Sequence, residues 1–306
     1  MTRHFLTGHE LTRDELNRLL SRALELKAAP WSSQALHERV VGLIFEKPST
    51  RTRLSFEAGV VELDGHPVVM RPAELQLSRG ESVRDTALIL SRHLQAVGVR
   101  TGPDAELVEL ATHATIPVFN MLTEAHHPCQ ALADLMTLRE EFGSLEGLRL
   151  AYIGDGNNVA RSLAILGHIA GVEVVVATPP GFELDPGDPP DPAVVAARRV
   201  TDPREAVAGA HAVYTDVWVS MGDEQTADER ASALAGYRVD DALLDLAAPG
   251  AIALHCLPAH PGQEITAEVL YGPRQRIWEQ AENRRHAQKA LLELLMADVG
   301  PSEVLG

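Results

Sequence analysis

The sequence contains little of several residue types, and each shortage excludes a class of protein. Only two of its 306 residues are cysteines, Cys129 and Cys256, so no disulfide framework is expected and a reducing, cytoplasmic compartment is favoured. No apolar run approaches the roughly 20 residues that a membrane helix needs. The N-terminal residues contain no signal-type apolar segment. Aromatic residues make up 4%, so the core must consist mainly of Leu, Val, Ile and Ala.

Positive charge is also scarce. The chain has 27 lysines and arginines against 43 acidic residues, which gives a formal net charge of −16. Such a surface argues against a general nucleic-acid partner and against an anionic membrane. A site for an anionic ligand must therefore attract that ligand locally, against the field of the whole molecule.

Strand and helix patterns alternate along the chain. This alternation predicts parallel sheets, and 306 residues exceed what one core usually covers, so we expect two doubly wound α/β domains. The predicted boundary places the first domain at 1–142 and the second at 143–282. The predicted strands are 40–45, 68–70, 96–100, 117–120, 148–153, 172–177, 211–215 and 251–254, and the predicted helices are 11–27, one from Ser49, 82–94, 104–114, 131–142, 159–170, 193–209 and 277–296.

The helix that follows the first strand has the features of a phosphate site. Pro48 ends the strand and Ser49 is a good N-cap, so unpaired backbone N–H groups and the positive end of the helix dipole point at one place. Thr50 and Thr52 add hydroxyls there, and Arg51 adds a guanidinium group. The alternative is a solvated basic first turn, but positive charge at that end opposes the helix dipole.

The two arginines of this turn are predicted to differ. Residues two apart on a helix diverge by about 200°, so both cannot serve one ligand equally. Arg51 is the predicted phosphate ligand, and Arg53 is predicted to pair with Glu57 one turn later. The apolar side chains of the same helix are predicted to face inward: Leu54, Phe56, Val60 and Val61.

Two further segments lie just past predicted strands, at the edge where ligands of parallel sheets bind. Arg100 ends a strand, and His127-Pro128-Cys129-Gln130 opens a helix. Taken alone, these would be a surface charge and a turn. Together with Ser49–Arg53 they supply what acyl transfer from a phosphate anhydride requires. Arg100, His127 and Thr52 can donate to a carbonyl oxygen as it gains charge, and the Gln130 oxygen can hold an NH₂ group.

A glycine-rich loop, Gly154-Asp155-Gly156-Asn157-Asn158, resembles part of a dinucleotide fingerprint. The fingerprint requires a third glycine where Val159 stands, and no acidic residue occupies the position that binds ribose. Dinucleotide binding is therefore disfavoured. Asn158, at the start of a helix, is predicted to bind a carboxylate, with Asn157 as the alternative.

Five segments and one single residue, Arg100, resemble those of the aspartate and ornithine carbamoyltransferase family, in the same order. Ser49-Thr50-Arg51-Thr52-Arg53, Arg100 and His127–Gln130 resemble its carbamoyl-phosphate residues, and Glu282–Ala290 resembles its C-terminal segment. Asp216-Val217-Trp218-Val219-Ser220-Met221-Gly222 and His255-Cys256-Leu257-Pro258 resemble the ornithine-specific members. Aspartate-specific members have His-Pro-Leu-Pro at the second of these positions.

This resemblance implies the residues of both substrate sites. The carbamoyl-phosphate contacts it implies are Ser49, Thr50, Arg51, Thr52, Gln76, Arg100, His127, Pro128, Cys129, Gln130, Cys256, Leu257 and Arg284. The ornithine contacts are Asn158, Asp216, Ser220 and Met221, and the catalytic residues are Arg100, His127, Asp216 and Cys256. Cys256 could accept a proton or orient the amine, and the sequence leaves both roles open.

The resemblance also implies an activity and an architecture. Carbamoyl phosphate and L-ornithine would give L-citrulline and phosphate without a metal or an organic cofactor, in the synthesis or the breakdown of arginine. The two domains would face each other across a cleft, and a C-terminal helix, about 283–306, would pack back on the first domain. A homotrimer would place Gln76 in the site of a neighbouring subunit.

Three other functions stay open at this point. The acceptor could be another amine, such as putrescine or an acylated ornithine. The chain could bind an amino acid and an anion without catalysis. The third alternative is a nucleotide-dependent oxidoreductase, which the incomplete glycine fingerprint disfavours.

Overall fold

The structure is a computed structural model, and it describes residues 2–76, 80–219 and 227–297. The chain divides into two compact units, which are Met1–Ala133 together with Glu282–Gly306, and Asp134–Ala281. The first is called the N-terminal unit below and the second the central unit. This division lies nine residues before the predicted boundary at 142/143.

The N-terminal unit contains a four-stranded sheet that is parallel, as predicted, and its strand order is β2-β1-β3-β4. Its elements in chain order are α1 (Arg13–Ala28), β1 (Val40–Phe45), α2 (Thr50–Glu62), β2 (His66–Met70), a 3₁₀ turn (Pro72–Glu74), α3 (Val83–His93), β3 (Ala96–Arg100), α4 (Asp104–His113), β4 (Val118–Leu122) and the start of α5 (Pro128–Phe142).

The register of this sheet brings the predicted phosphate residues together. Phe45, at the end of β1, is aligned with Arg100, at the end of the neighbouring strand β3. The chain that leaves β1 toward Ser49 therefore starts beside Arg100. Gly98 permits the close packing behind this edge, because a Cβ atom there would lie 2.2 Å from the ring of Phe119. That ring stacks on Phe56 of α2 with centroids 5.1 Å apart.

Helix α2 differs from the prediction on one of its faces. Phe56 and Val60 are fully buried, but Leu54 is 61% exposed and Val61 45% exposed. The prediction that these last two residues face inward was wrong. Residues 54 and 61 lie seven positions apart and share a face, whereas residues 56 and 60 lie on the face against the sheet. The predicted pair between Arg53 and Glu57 is confirmed, at 2.8 Å.

The central unit contains a five-stranded parallel sheet in the order β7-β6-β5-β8-β9. After the larger part of α5, its elements are β5 (Arg149–Ile153), α6 (Asn158–Ala170), β6 (Glu173–Ala177), α7 (Pro192–Ala196), β7 (Arg198–Val200), α8 (Pro203–Val207), β8 (Ala212–Thr215), α9 (Ala227–Leu234), α10 (Asp241–Leu244), β9 (Ile252–His255), α11 (Ala267–Leu270) and the first residues of α12 (Ile277–Ala297).

The helix predicted over 193–209 was wrong. The segment contains two five-residue helices, α7 and α8, separated by β7, which pairs with β6 at the edge of the sheet. Pro203 cannot occupy the interior of a long helix. It stands instead at the start of α8, which Asp202 caps by accepting from the N–H of Arg204. In the described part of the chain, no helix combines the length and apolar character required to cross a bilayer.

A buried ion pair holds the C-terminal helix within the N-terminal unit. Lys289 of α12 is fully buried and lies 2.5 Å from the carboxylate of Glu62, at the end of α2. Its ammonium group also donates to the carbonyl groups of Leu26, in the last turn of α1, and of Pro30, just after that helix. Burial lowers the pKa of Lys289, although Glu62 opposes the shift. One side chain thus connects three helices.

We expect Lys289→Met to destabilise the N-terminal unit strongly. The substitution removes one of the two cations that pair with the buried Glu62 carboxylate and leaves only Arg285, at 3.3 Å. Breaking a buried pair costs about 3–5 kcal/mol when no partner remains, so we expect a loss of about 3 kcal/mol. Urea unfolding followed by circular dichroism measures the effect. Lys47→Met is the matched control, since Lys47 is 39% exposed and 4.0 Å from Glu124, and we expect a change of about 0.5 kcal/mol or less. Equal effects of the two substitutions would contradict the assigned importance of the buried pair.

Candidate active site

The start of α2 has the geometry of an anion site. Ser49 has extended backbone angles and caps the helix by accepting from the N–H of Thr52 at 3.3 Å. Thr50 is the first helical residue, and the first turn contains no acidic residue that would neutralise the helix dipole. Arg51 is half-buried in this turn. Backbone N–H groups, hydroxyls and one guanidinium group are therefore gathered at a single helix end.

A second arginine reaches the same turn from the C-terminal helix. Arg284 of α12 is buried and donates through Nη2 to Thr52 Oγ1 at 2.7 Å. Its Nη1 donates to Oε1 of Gln130, which is also buried. Because a guanidinium group can only donate, the Thr52 hydroxyl retains its own hydrogen for another acceptor.

His127 is the electrostatic centre of these groups. Its side chain is buried, and its pKa lies well below the ordinary value because burial penalises the charged form. The positive charges of Arg284, Arg100 and Arg51 lower this pKa further. His127 is therefore a neutral imidazole at physiological pH, and it can donate a hydrogen bond without adding charge. Three arginines that act on one buried side chain form a site suited to an anion.

Cys129 is placed differently from its neighbours in the His127–Gln130 segment. Its side chain is fully buried and donates to the carbonyl oxygen of Asn120 at 3.1 Å. Burial raises the pKa of this thiol to about 12, although Arg284 opposes the shift. The thiol is therefore a protonated packing group, and Cys129 offers a ligand its backbone rather than its sulfur. Pro128 is the first residue of α5.

Three predicted site residues are not among the contacts described so far. Gln76 has an exposed side chain, and its carbonyl oxygen accepts from the N–H of Glu81. Ser220 and Met221 lie outside the described residues. The roles predicted for these three residues stay predictions.

The central unit holds the predicted amine residues in a hydrogen-bonded chain. Tyr152 donates to Oδ1 of Asn157 at 3.0 Å, and Nδ2 of Asn157 donates to Oδ2 of Asp216 at 2.9 Å. The other oxygen of Asp216 accepts from Cys256 Sγ at 2.8 Å and from the N–H of Val217. Burial and, secondarily, the charge of Asp216 raise the pKa of Tyr152, so its hydroxyl stays a donor. The chain presents one carboxylate and one thiol side by side.

The two asparagines between which the sequence could not decide have different contacts in the structure. Asn157 caps α6 by accepting from the N–H groups of Val159 and Ala160, and its amide donates to Asp216. Asn158 is the first residue of α6 and is half-buried. Asn157 thus organises the loop, and the assignment of Asn158 to the substrate carboxylate stays a prediction.

The glycine-rich loop is closed by the protein itself. The N–H of Gly156 donates to the carbonyl oxygen of Phe182 at 2.9 Å, and a Cβ atom at Gly156 would lie 2.4 Å from the backbone nitrogen of Leu184. In a dinucleotide site the corresponding glycine allows a pyrophosphate to approach. Here the space is filled by the Pro- and Asp-rich loop 179–192, which argues against a dinucleotide.

Arg230 is a residue of this region that sequence reasoning missed. From α9 it pairs with the carboxylate of Asp155, donates through Nε to the carbonyl oxygen of Trp218 at 2.7 Å, and lies over the ring of Phe182 at 5.1 Å. Three loops of the central unit are thereby joined. A charged residue in the sequence of a helix gives no signal of such distant partners.

The same unit contains the only potential metal-ligating cluster found among the described residues. Asp216, His255 and Cys256 each offer one ligand atom, and these atoms lie within 4.8 Å of one another. Both nitrogens of His255 have protein partners, since Nδ1 accepts from the N–H of Leu257 and Nε2 faces Glu264 at 3.2 Å. The expectation of a metal-free site stays a prediction.

Comparison with known families identifies the chain's relatives. A profile described as the carbamoyl-P binding domain of aspartate/ornithine carbamoyltransferase matches residues 3–140, and one described as the Asp/Orn binding domain of the same enzymes matches residues 146–295. The chain belongs to the aspartate/ornithine carbamoyltransferase family. It is 50% identical over 313 residues to the ornithine carbamoyltransferase of Acidothermus cellulolyticus, with 98% of each chain covered.

Other relatives extend the likeness to structure. The ornithine carbamoyltransferase of Symbiobacterium thermophilum is 50% identical over 304 residues, which cover 96% of this chain and 98% of that one. The solved ornithine carbamoyltransferase of Pyrococcus furiosus is 41% identical, with a TM-score of 0.90 and coverage of 97% and 98%. That of Thermus thermophilus is also 41% identical, with a TM-score of 0.88 and coverage of 97% and 99%. This family member therefore matches its relatives over nearly the whole of both chains.

Proposed function

We propose that this protein transfers the carbamoyl group of carbamoyl phosphate to the side-chain amine of L-ornithine, which gives L-citrulline and phosphate. The observation that carries the proposal is the set of three arginines around a buried, neutral His127 at the capped start of α2. The relatives named above, which are ornithine carbamoyltransferases, support the same activity.

The N-terminal unit supplies the groups that act on carbamoyl phosphate. Arg51 and the N–H groups at the start of α2 bind the phosphate and stabilise it as it leaves. Arg100, His127 and the Thr52 hydroxyl donate to the carbonyl oxygen, which gains negative charge in the tetrahedral state. A neutral imidazole suits this role, because it donates without needing a proton from solvent.

The central unit supplies the groups that select the amine. Asp216 pairs with the α-ammonium group of ornithine, and Asn158 binds the α-carboxylate. The side-chain amine has an ordinary pKa of about 10, so it must lose a proton before it attacks. The thiol of Cys256 donates to Asp216. It either orients the amine as a thiol, or passes its own proton to Asp216 and receives the amine proton as a thiolate.

The reaction then follows from these placements. The amine nitrogen forms a bond to the carbonyl carbon, and the bond from that carbon to the phosphate oxygen breaks. The second amine proton leaves with the phosphate or through the Asp216–Cys256 pair. Charge stabilisation and alignment of two substrates provide the acceleration.

A panel of acceptor amines tests the proposed function. With carbamoyl phosphate present, we expect kcat/KM for L-ornithine to exceed that for putrescine or Nα-acetylornithine by about 100-fold or more. Either analogue removes one charged group and leaves its protein partner unpaired, at a cost of about 2–5 kcal/mol. Colorimetric detection of the carbamoylated product and of phosphate measures both products. A faster reaction with either analogue would assign another amine, and binding of both substrates without phosphate release would indicate a non-catalytic protein.

Two neighbouring arginines provide a matched pair of substitutions. Arg51→Ala should raise KM for carbamoyl phosphate by about 100-fold, because a charge-assisted contact with phosphate is worth about 3 kcal/mol. Arg53→Ala should leave it within about threefold, since Arg53 is 44% exposed and paired with Glu57 at 2.8 Å. Steady-state kinetics at saturating ornithine compare the two. Similar kinetics for both variants would contradict the assignment of Arg51 to the phosphate site.

We further propose that the active protein is a homotrimer in which Gln76 completes the site of a neighbouring subunit. The side chain of Gln76 is exposed. Leu54 and Val61 form an exposed apolar face on α2, the helix that starts at the phosphate site. An apolar face beside a functional site is typical of a subunit interface.

Hybrid oligomers test whether the site is shared. Arg51→Ala and Gln76→Ala should each be nearly inactive, and mixing them under conditions of subunit exchange should restore about a quarter of the sites. Random assembly yields that fraction, because a restored site takes Arg51 from one variant and Gln76 from the other. Mixing Arg51→Ala with Arg284→Ala is the control, since both residues serve the same subunit's site and no site escapes a defect. Equal recovery in the two mixtures, or none in either despite demonstrated exchange, would rule out sharing.

A further inference from the structure

The turn that leads into the His127–Gln130 segment is held by a single carboxylate. Asp104, the first residue of α4, accepts from Thr123 Oγ1 at 2.7 Å, from the N–H of Ala125 at 3.0 Å and from Nδ1 of His126 at 2.6 Å. All three donors lie between the end of β4 and His127. One side chain, about twenty positions earlier in the chain, thus fixes the whole approach to the segment.

Further hydrogen bonds restrain the same turn. The N–H of Thr123 donates to the carbonyl oxygen of His126 at 2.8 Å, and that of Glu124 donates to the carbonyl oxygen of Gly102 at 2.9 Å. The buried Thr123 hydroxyl accepts from the amide of Asn120 at 3.0 Å and donates to Asp104. The side chain of His126 is only 13% exposed. These bonds leave the backbone before His127 little freedom.

The charge state of Asp104 agrees with this geometry. Burial would raise its pKa, but hydrogen bonds from His126, Thr123 and Ala125 outweigh that effect, and the pKa lies below its ordinary value. Asp104 is therefore an ionised acceptor at neutral pH. It binds His126 in the form that carries hydrogen on Nδ1.

We propose that Asp104 and His126 are positioning residues that hold the adjacent His127 in the orientation from which it donates to the carbonyl oxygen of carbamoyl phosphate. This inference rests on the proposed function, in which His127 is that donor. Neither residue touches the substrate in this scheme. They act by fixing the backbone next to a side chain whose direction matters to the reaction.

The expected size of the effect follows from ordering and orientation. A residue released from one backbone conformation regains conformational entropy, which substrate binding must then remove again. A donor displaced by about 1 Å from a developing charge can cost about 100-fold in rate. Loss of the Asp104–His126 bond should therefore affect kcat and the carbamoyl-phosphate step more than the handling of ornithine.

The experiment compares His126→Ala with His37→Ala in the full-length protein. His37 forms an equivalent bond in the same unit, from Nδ1 to Asp64 at 2.6 Å, but its side chain is 61% exposed. We expect His126→Ala to lower kcat by about 10- to 100-fold with KM for ornithine unchanged within about twofold. His37→Ala should keep its kcat. His126→Asn, whose amide nitrogen can replace Nδ1, should recover most of the loss.

A second readout distinguishes positioning from general stability. The ¹⁵N signals of the His127 ring, recorded with a phosphonate analogue of carbamoyl phosphate bound, should shift in His126→Ala and stay unchanged in His37→Ala. Asp104→Asn retains the oxygen that accepts from Thr123 and His126 but turns an NH₂ group toward the N–H of Ala125. Its kcat should therefore fall between those of His126→Ala and His126→Asn. An unchanged kcat in His126→Ala would overturn the inference. A lower kcat with unchanged His127 signals would overturn it as well.

His127→Ala separates this inference from the function on which it rests. If His127→Ala is slow while His126→Ala is normal, the donor role stands and the positioning role is wrong. If His127→Ala retains full kcat, the donor role assigned to His127 is wrong, and the positioning role is overturned with it.

Discussion

The proposed anion site of the N-terminal unit depends on three positive charges gathered around one uncharged side chain. Arg51, Arg100 and Arg284 all lower the pKa of the buried His127. Each comes from a different element, namely the start of α2, the end of β3 and α12. A chain with a net charge of −16 gathers these groups at one edge of a sheet, and such an arrangement becomes favourable when an anion occupies it. The buried bond between Lys289 and Glu62 holds α12, and with it Arg284, in this unit.

The central unit places a negative charge, not positive charges, at its proposed site. Asp216 offers a carboxylate that accepts from Cys256 and Asn157, and this negative group suits a cationic amino acid. Its surroundings are made rigid by backbone packing, since Gly156 accepts the close approach of Leu184. Arg230 adds a charged link between loops. One unit is thus arranged for an anion and the other for an ammonium group, which is what a reaction between carbamoyl phosphate and an amine requires.

Much of this arrangement could be predicted from the sequence because the signals are local. Apolar runs followed by Pro48, Arg100 or His127 mark strand ends at the binding edge of a parallel sheet, and the hydroxyl of Ser49 marks a helix start. The two parallel sheets, the eight predicted strands to within two residues at either end, and the pairing of Arg53 with Glu57 were confirmed on this basis. The C-terminal arginine, Arg284, was expected only from family likeness, and its contacts with Thr52 and Gln130 required the folded chain.

Other features depend on distant partners or on competing local preferences. The three-residue strand β7 was missed because its neighbours on both sides have helical sequences, and only pairing with β6 makes it a strand. Leu54 and Val61 were placed inside because an apolar residue on a helix does not reveal which partner covers it. The loop 179–192 carried no motif because it closes on Gly156 through its backbone. The Asp104–His126 bond joins residues 22 positions apart.

The central claim is that the N-terminal unit's charges form a phosphate site before any amine is bound. Calorimetric titration of the intact protein with a phosphonate analogue of carbamoyl phosphate, in the absence of ornithine, tests it most directly. We predict saturable binding of one molecule per chain. Binding that appears only after ornithine is added, or no binding at all, would contradict the account.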